Sequence, residues 1–149
     1  MLKDIGCMRV FKVLLFSVSV VLITSCKSVD FAVLDASYQQ WYDGRGTTSG
    51  VNFYISLQAK KKIKNMNFTN VEVDNHQLNP IIVRGKKKVT GILLLKKNDT
   101  IKVAAPLVLK GEKLQIADST SVILAYKRNK KVFKIPITHL IRKQKLFYP

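Results

Sequence analysis

Apolar and polar side chains alternate along several short stretches of this chain with the period of a β-strand. The alternation is cleanest over residues 51–58, where Val51, Phe53, Ile55 and Leu57 share one face and polar-tipped residues share the other. A strand so patterned lays one face on a core and leaves the other in water. Thr69, Val71 and Val73 repeat the alternation, and Asp74-Asn75 closes it with turn chemistry. The same reading predicts strands over residues 34–42, 81–84, 89–95, 100–105, 121–127 and 131–138, with 140–148 extending or following the last.

The connections are short. Gly85-Lys86-Lys87-Lys88 and Arg128-Asn129-Lys130 are of hairpin length, Lys96-Lys97-Asn98-Asp99 is a turn, and residues 44–50 form a flexible loop by their glycine and small polar content. In residues 131–138, Phe133, Ile135 and Ile137 alternate with Lys134, Pro136 and Thr138. Proline cannot donate to a ladder, which puts this strand at a sheet edge. No stretch beyond residue 26 keeps a helical period for more than two turns. The expected fold is all-β, a single β-sandwich of seven to nine strands, immunoglobulin-like in general shape, with a small barrel as the alternative.

Ahead of this pattern the chain changes character. A basic Met-Arg-Val-Phe-Lys segment begins at Met8 and leads into an apolar run over residues 13–23. A membrane-spanning helix needs about 20 apolar residues, so a shorter run after a basic segment reads as a signal peptide. Met8 is then a second candidate start, which would leave Cys7 outside the protein. Ile23-Thr24-Ser25-Cys26 resembles the lipobox, an aliphatic residue and two small ones before the cysteine that receives a diacylglyceryl group. The expected organisation is a lipoprotein signal peptide over 1–25, the lipidated Cys26 and a tether over 26–33, and the sandwich over 34–149. An ordinary secretory signal, or an uncleaved anchor with Cys26 incidental, is the competing reading. One acyl chain anchors a protein only marginally, but two or three hold it durably in a bilayer.

Composition narrows the chemistry. The chain has 26 basic and 9 acidic side chains, a formal charge of +17, and residues 1–25 contain only Lys3, Arg9, Lys12 and Asp4 of these. The exported part therefore stays strongly basic. Cys26 is its sole cysteine, so an intrachain disulfide is impossible and cysteine-based zinc sites are excluded. His76 and His139 lie far apart with no acidic cluster at ligand spacing, so neither metal nor cofactor is expected. A nucleophile elbow and a paired-histidine helix are both absent, and the few carboxylates sit mostly in turns, so no catalytic residues are assigned.

Two readings of the lysines compete. Five basic groups stand out: Lys60, Lys61, Lys62 and Lys64, then Lys86, Lys87 and Lys88, then Lys96 and Lys97, then Lys127, Arg128, Lys130 and Lys131, and last Arg142, Lys143 and Lys145; all but the last fall at strand ends or turns. Successive turns of a meander lie at opposite ends, so the groups at 86–88 and 96–97 are predicted to point away from each other. That favours a solubilising shell that also blunts sheet edges. The alternative is attraction to anionic lipid headgroups, lipopolysaccharide phosphates or acidic polysaccharide. Nucleic acid ranks low, since no recognition motif is present and the destination is outside the cytoplasm. Tyr38, Trp41, Tyr42 and Tyr54 flank the glycine loop, where they either cap the core or form a sugar-stacking platform.

Asp99-Thr100-Ile101 and Asp118-Ser119-Thr120 resemble the O-glycosylation acceptor pattern of exported Bacteroidota proteins, with Ser119 in its loop the better acceptor than Thr100 at a strand start. The lipobox, the short tether, Gln39-Gln40-Trp41-Tyr42 before a Gly/Ser loop, the strand at 51–57 and the turn Lys96-Lys97-Asn98-Asp99-Thr100 together resemble small uncharacterised lipoproteins of Bacteroidota. Asn98 departs from the glycine expected in that turn. The resemblance implies the architecture and an envelope location only. With no catalytic signature in the chain, the expected protein is a non-catalytic accessory or binding module of the envelope, on the outer membrane above all.

Overall fold

The computed structural model describes residues 30–112 and 114–149. Cys7, the expected signal peptide, Cys26 and the first residues of the expected tether lie outside them. Twelve strands follow in order: β1 (Phe31–Asp43), β2 (Thr48–Ala59), β3 (Ile63–Val73), β4 (His76–Leu78), β5 (Ile81–Arg84), β6 (Lys87–Val89), β7 (Leu93–Leu95), β8 (Thr100–Lys110), β9 (Val122–Arg128), β10 (Lys131–Ile137), β11 (Ile141–Arg142) and β12 (Leu146–Tyr148). One sheet runs β11-β1-β2-β8-β5-β6, with β12 also on β1. The other runs β10-β9-β3-β4, with β7 also on β3. Two separate sheets with free edges make a sandwich rather than a barrel.

The inward faces carry the alternation read from the chain. Val51, Phe53, Ile55 and Leu57 of β2 are all but fully buried, and Ile101, Val103 and Ala105 of β8 continue the layer beside them. Met66, Phe68, Val71 and Val73 of β3 face them together with Val122, Leu124 and Tyr126 of β9. Phe31, Phe68 and Phe133 surround Tyr126, with ring centroids 5.2 to 6.1 Å from it. As its proline predicts, β10 lies at an edge, and Pro136 pairs only with Ile123.

Several boundaries differ from expectation for identifiable reasons. β1 begins at Phe31, inside the expected tether, because that ring is buried against Phe68 and Tyr126. Thr69 is exposed although it was predicted to share a face with Val71 and Val73, since a bulge between Phe68 and Asn70 puts one extra residue into β3. The strand expected over 89–95 is two strands in different sheets. β6 hydrogen-bonds to β5, and the chain then crosses at Gly91 (φ 82°) so that β7 pairs with β3. β8 continues past Ala105 through Pro106, which lies beyond the part of β8 that β5 covers. The count exceeds seven to nine because β4, β6, β7, β11 and β12 are pieces of two or three residues.

The loop expected over 44–50 is shorter, since Thr48, Ser49 and Gly50 already belong to β2. Gly50 serves a close approach rather than a turn. A Cβ there would lie 2.5 Å from the Trp41 ring and 2.4 Å from the Leu107 carbonyl oxygen. Gly50→Ala is expected to lower stability by about 2 kcal/mol, because the backbone of β8 cannot yield as a side chain can. Urea unfolding of the two proteins measures this, and a change within error would show that the strands separate freely.

Candidate functional site

Tertiary pairing brings four of the five basic groups to one end of the sandwich, while Arg142, Lys143 and Lys145 lie beside the middle and far half of β1. β2 ends at Ala59, opposite Phe31 of β1, and its neighbour Gln58 pairs with Thr100 of β8. The turn after β2 therefore lies beside the start of β1 and the turn before β8. Backbone bonds Ala59 N–H to Asp99 O (2.9 Å) and Asn98 N–H to Ala59 O (2.8 Å) tie those two turns together. The β5–β6 hairpin turns at this end as well, with Arg84 donating to the Leu94 carbonyl and to the Asp99 carboxylate. From the second sheet, the β9–β10 turn reaches the same end through Asn129 N–H to Asn65 O, at the start of β3.

The expected separation of Lys86, Lys87 and Lys88 from Lys96 and Lys97 is thus reversed. A meander within one sheet would have put consecutive turns at opposite ends. Because β7 sits in the other sheet, the chain traverses the sandwich once more between the two groups, and both return to one end. Lys60, Lys61, Lys62, Lys127, Lys130 and Lys131 join them there, all exposed.

Two carboxylates stand at the tip of this end among the described residues, Asp30 and Asp99, and both are ion-paired; Asp35, exposed on β1 at the level of Lys88, has no basic partner within ion-pair distance. Asp99 holds Arg84 and also accepts the Lys96 N–H (2.9 Å). Asp30 is 3% exposed and accepts from the Tyr126 hydroxyl (2.8 Å), from Arg128 Nη1 on both oxygens (2.7 and 2.8 Å) and from Lys61 Nζ (2.9 Å). Burial raises the Asp30 pKa, but hydrogen bonds from Lys61 and Tyr126 and the charge of Arg128 outweigh it and hold the carboxyl below its ordinary value. Arg128, half-buried and 5.0 Å from the centre of the Phe133 ring, is engaged in this cluster rather than presented to solvent. It is thus a structural cation, unlike the lysines around it. Asp30 falls within the tether expected from the sequence, and Phe31, an aromatic next to it that is buried in the core, is the residue that marks this part of the chain as belonging to the fold.

The turns are built for the left-handed backbone they adopt. Asn98 (φ 69°) occupies the position where glycine was expected, a conformation asparagine tolerates. Asn129 (φ 47°) and Lys130 (φ 69°) are both positive, as a type I′ hairpin requires. Lysine has no local stabilisation there, so Lys130 keeps its charge in a conformation where glycine would sit without strain. Lys130→Gly is expected to raise stability by about 0.5 to 1 kcal/mol, measured by thermal unfolding. A loss of stability would contradict the turn geometry.

The opposite end is mixed in charge, with Asp43, Asp74 and Asp118 beside Arg45, Lys110, Arg142 and Lys145. A cleft of about 400 Å³ opens there between the inner face of β1 and β2 and residues 114–116, with Gln40, Tyr42, Arg142 and Lys145 among its lining. The aromatics beside the shortened loop form no single platform. Tyr38 is buried, Trp41 lies on Gly50 and edge-on to Tyr148, Tyr42 stacks on Phe147, and Lys143 sits over Tyr54. Ser119 is exposed in a turn closed by Thr120 N–H to Ala117 O, whereas Thr100 opens β8 at the basic end, so the two glycosylation candidates do not meet. No three His, Cys, Asp or Glu side chains among the described residues converge as metal ligands would. Set beside models of known protein families and beside curated proteins, the chain matches none.

Proposed function

We propose that this protein is a non-catalytic, lipid-anchored module of the cell envelope that binds anionic glycans or lipopolysaccharide through the basic end of its sandwich. The observation that carries this reading is the convergence of lysines from four turns on one end, where the two carboxylates at the tip, Asp30 and Asp99, are already paired. The far end carries basic side chains as well, but beside Asp43, Asp74 and Asp118, so the excess of positive charge gathers at the lysine end. Lys130, held in a left-handed conformation at the tip of the β9–β10 turn, points the same way. Strained positions are found where function maintains them. Exposed ammonium groups on turns suit a broad, hydrated polyanion rather than a small ligand in a cleft, and such binding weakens with salt.

Lipidation of Cys26 and an outer-membrane location belong to the same proposal and rest on the lipobox-like segment. The experiment is binding of the exported chain to purified lipopolysaccharide and to polygalacturonate across a salt series, with neutral dextran as control. Affinity is expected to fall steeply as salt rises, and salt-independent or absent binding to both anionic polymers would sink the proposal. Mass spectrometry of the native protein tests Cys26, where two or three acyl chains are expected.

A further inference from the structure

We infer that the anionic surface met by the basic end is the headgroup layer of the membrane that holds the protein's own lipid anchor, so that the sandwich stands end-on with its lysines inward. The inference rests on the proposed function and names the partner of that same site.

Cys26 precedes Asp30 by four residues, and an extended chain spans at most about 3.6 Å per residue, so the acylated cysteine lies within roughly 14 Å of Asp30 whatever path the chain takes. Asp30 is itself fixed. Its carboxylate is held by Tyr126, Arg128 and Lys61, and its carbonyl accepts the Lys60 N–H (2.8 Å). The turn that carries Lys60 and Lys62 is therefore hydrogen-bonded directly to Asp30, where the described chain begins. β2 has 12 residues, which at about 3.3 Å each sets the far end roughly 40 Å away. A tether of that length cannot bring the far end to the bilayer unless the sandwich lies on its side. Lying so would lift some of the basic turns beyond the screening distance of about 8 Å at physiological salt.

Electrostatics selects between the two postures. Each lysine near an anionic surface strengthens association by about fivefold. Standing end-on brings Lys60, Lys62, Lys86, Lys97 and Lys130 down together, and it does so without burying an unpaired carboxylate. The mixed far end, with its cleft, then faces away from the membrane.

Because Cys26 is the only cysteine in the exported chain, single labels are easily introduced. Lipidated protein carrying a nitroxide at Lys97→Cys or at Ser119→Cys is reconstituted into vesicles of phosphatidylcholine alone or with about a third phosphatidylglycerol, and label exposure to a water-soluble relaxation agent is read. Several-fold protection of the Lys97 site in anionic vesicles is expected, with release by high salt and no protection of the Ser119 site. Equal exposure of both labels in anionic vesicles, or protection that ignores lipid charge, would overturn the inference. If the labels stay exposed while the same protein still binds soluble polygalacturonate, the membrane posture falls and the anion-binding reading stands. Loss of both sinks both. Absence of acyl chains on Cys26 removes the inference and leaves the polymer binding to be judged separately.

Discussion

Replacing Asp30 with asparagine is expected to lower the stability of the sandwich by about 2 to 3 kcal/mol, roughly 10 °C in Tm for a domain of this size. The carboxylate is the meeting point of β1, the turn after β2, and β9, through Lys61, Tyr126 and Arg128. An amide can satisfy one or two of these donors but leaves the charges of Arg128 and Lys61 without their counterion. The loss stays below the 3 to 5 kcal/mol typical of a fully buried broken pair, because the Lys61 and Arg128 side chains are 49% and 26% exposed and can turn to water.

The pH dependence has a definite sign. Asp30 has a lower pKa folded than unfolded, so its contribution is complete above the ordinary carboxylate range and disappears as pH falls through the lowered folded value. The gap between wild type and Asp30→Asn is therefore expected to be constant from about pH 5 upward and to close below about pH 4. At Asp43 slight burial raises the pKa, but hydrogen bonds from Thr48, Thr47 and Gly46 bring it below normal. That residue titrates alike in both proteins and cancels from the difference. Denaturant unfolding across pH measures the gap; one that widened in acid would show that Asp30 is not held as an anion.

Removing charge at the basic end and away from it is expected to separate binding from folding. Lys62, Lys86, Lys97 and Lys130 changed together to glutamine are expected to weaken lipopolysaccharide binding by more than about 100-fold, at about fivefold per lysine, and to flatten its salt dependence. Lys110, Arg142, Lys143 and Lys145 changed in the same way carry an equal loss of net charge away from the basic end and are expected to weaken binding only several-fold. All eight side chains are exposed and none has a carboxylate partner among the described residues. Both sets are expected to keep wild-type stability within about 1 kcal/mol. Equal losses from the two sets would mean that net charge alone, and no particular end, drives the binding.

The alternation of Val51, Phe53, Ile55 and Leu57, the edge position implied by Pro136 and the turn chemistry at Asp74-Asn75 and Asn129 could all be read along the chain. These follow from local rules: side-chain direction in a strand has period two, proline lacks a donor, and asparagine tolerates a left-handed backbone. The all-β sandwich is their direct sum. What lay beyond local rules was which strand pairs with which. The bulge at Thr69 and the contact of Trp41 with Gly50 depend on neighbours far along the chain, as does the burial of Asp30 beside residues 126 and 128. The largest difference came from three residues, Leu93, Leu94 and Leu95. Their transfer to the second sheet decided that lysine groups near in sequence, and read as opposed, share one end with two others, since hydrophobic periodicity states that a strand has a buried face but never which sheet buries it.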